Sequence, residues 1–322
     1  MDEVAIRDAE TRWTAQALEA RVVRYADLRP CHNAFIDTRT PGSEAKENFT
    51  IIGPGVSENP EQHVHIAEPH GFNIGGARQP ANCVNSQHSH DTAEVFLVHT
   101  GRWRFDFGEN AEDASVEAGP GDVVSFPVKA FRGFTNIGSP QDEPAFLWAV
   151  LGKDDPGRVT WAPRVFEMAR DYGLVLLENG ALVDTTRGET PPPGVAPMPV
   201  TSRETVESLR RMTPADTEGV IARAPAGPEP GERLLIGERG ALAPTEDFTL
   251  VRLELAPGDA APGVPSGPEV VFVHRGAAEV TVAGERVRLG EGDTMTVPVG
   301  PERQFGSDGS AVLFVVRGVE VH

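Results

Sequence analysis

Short runs in which apolar and polar residues alternate recur along the chain. The runs WRFDF (103–107) and AEVTV (278–282) place an apolar residue at every second position. Because the side chains of an extended backbone point alternately to its two faces, such runs predict strands with one buried face. The 34 glycines and 28 prolines favour many turns between short strands over long helices. We therefore predict a mainly β protein with a few short helices.

Three segments carry a helical pattern instead. Residues 3–20 combine helix-forming residues with apolar positions at helical spacing. The segment 163–173 begins with proline and ends with glycine, as helices often do. Thr201 followed by Glu204 is the signature of a capping box and predicts a helix after it.

The other segments outside the alternating runs predict turns and connectors. Residues 174–186 are typical of a hairpin about their Asn-Gly pair, and residues 187–200 form a stiff Pro-rich connector. Residues 21–85 are rich in Gly, Pro and Asn. We expect this stretch to be irregular, with edge strands near residues 48–53.

A weak repeat relates the two halves of the chain. A Glu and a Gly seven residues apart recur with an offset of 175, and a Gly-Asp pair, a Pro and an Arg recur with an offset of 171. The smaller offset means that the second copy is four residues shorter between these landmarks. The shortening falls where the first copy carries GENAEDAS (108–115). The paired landmarks are Glu94 and Glu269, Gly101 and Gly276, Gly121-Asp122 and Gly292-Asp293, Pro127 and Pro298, and Arg132 and Arg303. The repeat predicts two similar β domains in tandem.

Composition narrows the classes of function. The net charge of −19 repels phosphate backbones and anionic membranes, so neither nucleic acid nor a membrane is an expected partner. No apolar run reaches the roughly 18 residues of a membrane span. The first residues are acidic and polar, unlike a signal peptide. Cys31 and Cys83 are too few for a disulfide scaffold, and we expect a cytoplasmic protein.

The segment QHSHDTAEVFLVHTG (87–101) carries the most specific chemistry. His88 and His90 stand two residues apart and share a face of an extended backbone, and Glu94 keeps the same parity. Two neutral histidines and one carboxylate hold a divalent metal on one side and leave coordination positions open, which suits non-haem Fe(II) best. The alternative is that these polar side chains line a barrel mouth and satisfy one another.

The spacing of this segment resembles the first signature of the cupin superfamily: His-x-His, three residues, Glu, six residues, Gly. The second signature of that family is a Gly, five residues, Pro-x-Gly, two residues, His, three residues, Asn. Here Gly121, Pro127 and Asn136 match it, but Arg132 stands in the place of the histidine and Lys129 in the place of the second glycine.

The resemblance implies a bicupin similar to quercetinase and gentisate dioxygenase, with two tandem cupin (double-stranded β-helix, or jelly-roll) barrels. The implied domains are an N-terminal helix and irregular arm (1–74), a metal-binding barrel (75–155), a connecting region (156–229) and a second barrel (230–322). In the second barrel, Gly263 and Pro265 stand where His88 and His90 stand in the first. We therefore expect no metal ligands in it, and a structural role.

The arginine at position 132, where the cupin signature has histidine, changes the chemistry of the site. A guanidinium has no lone pair and cannot coordinate a metal. The metal then has three protein ligands, or one of His63, His65 and His70 replaces the fourth, or there is no metal. Arg132 itself either offers a fork of donors to an anionic substrate oxygen, as a catalytic residue, or forms an ion pair with Glu94. Both interpretations stay open at this point.

The leading hypothesis is an Fe(II)-dependent dioxygenase that cleaves a small chelating organic substrate, with His88, His90 and Glu94 as metal ligands. The resemblance leaves Mn, Ni, Zn and Cu open as well. The expected partners are the substrate and O2, with a homodimer as a further expectation. The alternatives are a non-oxidative metal-dependent isomerase, decarboxylase or lyase, and a non-catalytic cupin that binds a small molecule.

Overall fold

The computed structural model describes residues 13–138 and 143–319. Residues 3–12 of the predicted N-terminal helix lie outside the described residues, and helix α1 (Ala15–Glu19) covers part of the remainder. The strands up to residue 152 are β1 (Val22–Val23), β2 (Glu47–Ile52), β3 (Val64–Ile66), β4 (Phe72–Gln79), β5 (Val84–Ser89), β6 (Glu94–Val98), β7 (Trp103–Phe107), β8 (Ala114–Ala118), β9 (Val123–Phe126), β10 (Arg132–Asn136) and β11 (Ala145–Gly152).

The rest of the described chain contains two further α-helices, α2 (Pro163–Asp171) and α3 (Arg203–Ser208). Its strands are β12 (Thr160–Trp161), β13 (Leu174–Leu176), β14 (Leu182–Asp184), β15 (Ile221–Ala222), β16 (Gly231–Ile236), β17 (Phe248–Leu255), β18 (Ala260–Gly263), β19 (Glu269–Arg275), β20 (Ala278–Val282), β21 (Glu285–Leu289), β22 (Thr294–Val297), β23 (Arg303–Gly306) and β24 (Ala311–Gly318). Short 3-10 helices cover Tyr25–Asp27, Thr185–Arg187 and Pro214–Val220. No helix within the described residues is long and apolar enough to cross a membrane.

The predicted tandem barrels are confirmed. In the first barrel a sheet of order β15-β9-β6-β11-β4-β2-β3 faces a sheet of order β12-β5-β10-β7-β8. In the second, β1-β22-β19-β24-β17-β16 faces β18-β23-β20-β21. Strands β4 to β11 thus recur, in the same spatial order, as β17 to β24. The loop between β7 and β8 spans residues 108–113 and that between β20 and β21 only 283–284, which accounts for the loss of four residues.

Each barrel receives one strand from the segment that precedes the other barrel. Strand β1 precedes the first barrel but pairs with β22 of the second, and β15 precedes the second barrel but pairs with β9 of the first. The aspartates of the repeated Gly-Asp pair hold these segments. Asp293 accepts the Tyr25 backbone N–H at 3.0 Å, and Asp122 accepts the Ala224 backbone N–H at 2.8 Å.

The two barrels share an apolar core where their larger sheets meet. Trp148 of β11 stacks on Phe272 of β19, with ring centroids 4.9 Å apart, and donates its indole N–H to the Thr294 hydroxyl. Phe72, Phe146 and other buried side chains from both barrels belong to the same cluster. This shared core holds the barrels against each other by burying apolar surface from both.

The irregular arm expected for residues 21–85 is wrong over much of its length. The strand expected near residues 48–53 is present as β2, but β3 and β4 extend the same sheet, and β4 lies between β11 and β2. The glycines of β4 hid its strand character. A Cβ on Gly76 would lie 2.7 Å from the Phe146 ring, so glycine is needed there for close packing and not for a turn.

The predictions for the connecting region are mostly confirmed. Helix α2 begins with Pro163, Gly173 follows it in the left-handed conformation (φ 82°), and β13 and β14 form the hairpin. The capping prediction was displaced by one residue. Ser202, not Thr201, accepts the Thr205 N–H as the cap of α3, because the Thr201 hydroxyl donates to the Trp161 carbonyl.

Candidate metal centre and its cavity

His88, His90 and Glu94 converge inside the first barrel. His88 lies near the end of β5, His90 directly after it, and Glu94 begins β6. All three are buried, and one ligand atom from each lies within 4.8 Å of the others. No other such group of three His, Cys, Asp or Glu side chains occurs among residues 13–138 and 143–319.

Both imidazoles are neutral in this setting. His88 Nδ1 lies 2.7 Å from the Ser86 carbonyl oxygen, which can only accept, so Nδ1 carries the proton and Nε2 keeps a lone pair. Burial, with the Arg132 charge as a second cause, lowers the pKa of His88 to about 3. The same two causes hold the pKa of His90 well below its usual range. Neutral imidazole is the form that binds a metal.

Arg132 is paired with Glu94. Its Nη2 and Nε donate to Glu94 Oε2 at 2.5 and 3.1 Å, and Nη1 donates to the Ala130 carbonyl. Glu94 Oε1 is left on the other side, 3.6 Å from His90 Nε2. Arg132 lies behind Glu94, outside the cavity lining. The structure therefore favours the ion-pair interpretation over a donor fork that faces the substrate.

The donor set fits a divalent metal with three protein ligands. Two neutral imidazoles and one carboxylate oxygen have lone pairs directed to a common region, and Arg132 adds none. His63, His65 and His70 do not supply a fourth. Instead, His65 Nδ1 lies 2.8 Å from the Thr50 carbonyl oxygen, and His70 Nε2 lies 2.6 Å from the Thr296 hydroxyl of the second barrel.

The three candidate ligands form one wall of a cavity of about 80 Å³. A water molecule needs roughly 10–15 Å³ measured in this way, so the space suits a small organic molecule. Phe96 and Phe134 contribute to its largely apolar lining, and the Trp161 ring lies 5.2 Å from that of His88. The connecting region therefore closes the first barrel near its histidines.

A buried carboxyl group lies behind Trp161. Glu58 accepts the Trp161 indole N–H at 2.6 Å and the Ile36 backbone N–H at 2.7 Å. Burial raises the pKa of Glu58 to about 8 despite these two hydrogen bonds. The group therefore holds Trp161 in place against His88, and it is largely uncharged at neutral pH.

The comparisons with known proteins agree with this architecture. The family model described as Cupin domain matches residues 251–317, which lie in the second barrel. The E162A mutant of Bacillus subtilis oxalate decarboxylase OxdC superposes with a TM-score of 0.56 at 12% identity, covering 94% of this chain and 78% of that one. The same enzyme at pH 4.6 gives 0.54 at 13% identity, covering 92% and 75%. The chain has the bicupin fold of the cupin superfamily.

The other comparisons also find only distant similarity. AerE from Microcystis aeruginosa, at 11% identity, covers 91% of this chain and 97% of its own with a TM-score of 0.48. No curated protein matches the sequence. At such identities the similarity describes the fold, and the chemistry has to be argued from the site.

The second barrel of the bicupin repeats the ion pair without the histidines. Arg303 Nε and Nη2 donate to Glu269 Oε1 and Oε2 at 2.7 and 2.9 Å. Gly263 is paired with Arg303, as His88 is paired with Arg132. A Cβ on Gly263 would lie 2.7 Å from the Arg303 guanidinium, so this guanidinium fills the space of a histidine side chain.

Simple strand alternation predicts that Asn85 faces away from His88. It is on the opposite parity from His88, yet both line the cavity. Arg132 pairs with His88 and Phe134 with Asn85, so two steps along β10 span three along β5. This β-bulge inverts the alternation. Asn48, Gln62 and Trp161 of the lining were also missed, since no metal motif includes them.

Lys129 also departs from the cupin signature, which has glycine at its position. Its backbone is left-handed, with a φ of 60°, as expected at a glycine position. The turn of the signature is therefore kept although the glycine is not. The side chain is exposed and forms no part of the cavity lining.

Proposed function

We propose that this bicupin is a metal-dependent enzyme acting on a small chelating organic substrate, with Fe(II)-dependent oxidative cleavage as the leading reaction. The observation that supports it is the convergence of the His88, His90 and Glu94 ligand atoms beside a largely apolar cavity. A bound divalent metal supplies Lewis acidity and positions for the substrate and O2.

The residues of the chain prepare this centre. His88 and His90 offer lone pairs without losing a proton, and Ser86 fixes the ring orientation of His88. Arg132 acts as a positioning residue: it holds one oxygen of Glu94 and leaves the other free. The positive charge of Arg132 also balances the negative charge of Glu94. A bound divalent metal would therefore favour a substrate that binds it through an anionic oxygen.

Metal content and oxygen uptake test the proposal. The protein, purified without chelator and supplied anaerobically with Fe(II), should bind about one metal per chain and consume O2 with a member of a catecholate, gentisate and diketone panel. His88→Ala should lose the metal, whereas His63→Ala, a histidine outside the cluster, should keep it. A fully iron-containing protein that takes up no O2 but converts substrate anaerobically would favour an isomerase, decarboxylase or lyase.

One observation favours a second candidate, a non-catalytic protein that binds a small molecule. The Glu–Arg pair of the metal centre recurs as Glu269–Arg303 in a barrel without histidine ligands, so the pair by itself serves structure. Under this proposal elemental analysis gives a metal content near zero, and no member of the panel is converted with or without O2.

A further inference from the structure

Unpaired polar atoms are concentrated in residues that line the cavity. Six buried side-chain N or O atoms have no hydrogen-bond partner among the described residues, and four of them belong to residues that line this cavity. Those four are Asn48 Nδ2, Gln62 Oε1, Asn85 Nδ2 and His90 Nδ1. A buried polar atom without a partner costs roughly 1–3 kcal/mol, so such a cluster indicates a polar ligand.

The orientation of the Asn85 amide is fixed from behind. Lys46 Nζ donates to Asn85 Oδ1 at 3.1 Å and also contacts Asp37. The other oxygen of Asp37 accepts the Ser86 backbone N–H at 2.9 Å, and both charged side chains are completely buried. Because Oδ1 is held by the ammonium group, Nδ2 of Asn85 is the atom left without a partner.

The Asn48 amide comes from the facing sheet. Asn48 lies on β2, in the seven-stranded sheet, whereas Asn85 lies on β5, in the five-stranded sheet. Both side chains are more than nine-tenths buried, at 7% and 5% exposure. Two residues with an unpaired, uncharged N–H donor thus line the cavity, one from each sheet of the barrel that carries the candidate metal ligands.

We propose that Asn48 and Asn85 form a subsite for a second, uncharged carbonyl oxygen of the substrate, one that is not a metal ligand. A carbonyl oxygen has two lone pairs and accepts both N–H groups, and it brings no charge that would need a buried cation. Lys46 already serves Asp37 and Asn85. The substrate class is a small oxo acid with a second carbonyl, and this inference rests on the proposed function.

Two probes of equal chain length isolate the subsite. We use the zinc-containing protein, in which no redox turnover occurs, and compare 2,5-dioxohexanoate with 2-oxohexanoate by calorimetry. The wild type should prefer the dioxo acid by at least about tenfold. Asn48→Leu and Asn85→Leu should each lower this preference about tenfold with zinc content unchanged, because one donor is removed. Asn110→Leu, at an exposed position, is the matched control and should keep the preference.

A second readout needs no ligand. Asn48→Leu replaces an unpaired buried amide by an apolar group of similar size, so its Tm should stay the same or rise. A lowered Tm together with an unchanged preference would overturn the subsite and assign Asn48 a structural role. Equal binding of both probes by the zinc-containing wild type would overturn it as well, while the metal centre stands. A protein that takes up no zinc would instead contradict the proposed function. The preference for the dioxo acid over the mono-oxo acid, measured without metal for the wild type and the two Leu variants, would then test the subsite.

Discussion

His99 Nδ1 and His274 Nδ1 lie 3.3 Å apart in the interface between the two barrels. The two histidines are separated by 175 residues, the offset of the repeat, so equivalent positions of the two copies meet. Both are buried, and a hydrogen bond between two ring nitrogens requires one to be unprotonated. The pair therefore places a group that can gain charge inside the junction of the barrels.

We predict that acid weakens the protein partly through this pair. Burial lowers the pKa of His99 to about 4 and that of His274 to about 3, whereas the pKa of a solvent-exposed histidine is about 6.5. The unfolded chain thus binds protons that the folded chain does not, and stability falls as the pH decreases from about 6.5 towards 4. Glu291 opposes the shift at His99, and Arg252 and Arg275 add to it at His274.

Urea unfolding at pH 7.5, 6 and 5 measures this effect. The double variant H99Q/H274Q keeps polar groups that do not titrate and should lose less stability between pH 7.5 and 5 than the wild type. His32→Gln, at an exposed position, should behave as the wild type does. An identical pH dependence of all three proteins would contradict the prediction.

Arg132→His should increase zinc affinity by at least about tenfold. The change removes a positive charge beside the metal and adds a lone pair at the position where the cupin signature has histidine. Zinc titration against a competing chelator measures it. Arg303→His is the matched control in the second barrel, where Gly263 and Pro265 offer no ligand, and it should gain no zinc site. Equal zinc affinity of Arg132→His and the wild type would argue against a metal at this centre.

Lys46→Met should destabilise the fold by about 3–5 kcal/mol, because Asp37 is left as an unpaired buried charge. Equilibrium unfolding in urea measures the change. Adding Asp37→Asn should recover part of the loss, since it removes that charge. Lys153→Met alters an exposed lysine and should be nearly neutral. A small effect of Lys46→Met would mean that water reaches this pair.

Asp293→Ala and Asp122→Ala should each destabilise the fold by about 0.5–1.5 kcal/mol, because partly buried backbone donors lose their acceptor. Hydrogen exchange localises the effect: amides of β1 should exchange faster in Asp293→Ala, and amides of β15 in Asp122→Ala. Faster exchange across both barrels in either variant would indicate a general loss of stability and contradict a local clamp.

The sequence predicted the architecture because its landmarks are set by local geometry. The Glu94–Gly101 spacing encodes a strand and its turn, and the Gly-Asp pairs encode turns that recur in both halves. Glu94 reaches the histidines from β6, in the facing sheet, which a single sequence does not show. The shared direction of His88 and His90 does follow from strand parity. These features depend on few neighbours, so a single sequence is enough to identify them.

Other features depend on contacts that are distant in sequence. Strand β4 was missed because its glycines, including Gly76 against the Phe146 ring, look like turn residues. Asn85 was misplaced because a bulge is not visible in an alternating pattern. The sequence left open whether the Arg132 side chain faces the cavity or Glu94. The answer depends on how β10 packs against β6, which lies in the facing sheet. Asn48 joins the cavity only through the pairing of β2 with β4.

The exchange of β1 and β15 makes the halves of this molecule interdependent. Each barrel is completed by a segment encoded outside it, as in a domain-swapped homodimer whose two protomers have been joined into one polypeptide. Excising either barrel at the connecting region would leave a sheet edge uncovered and an apolar face without its counterpart. The half without the candidate metal ligands is thus a folding partner of the half that carries them, and sequence changes in one are constrained by the other.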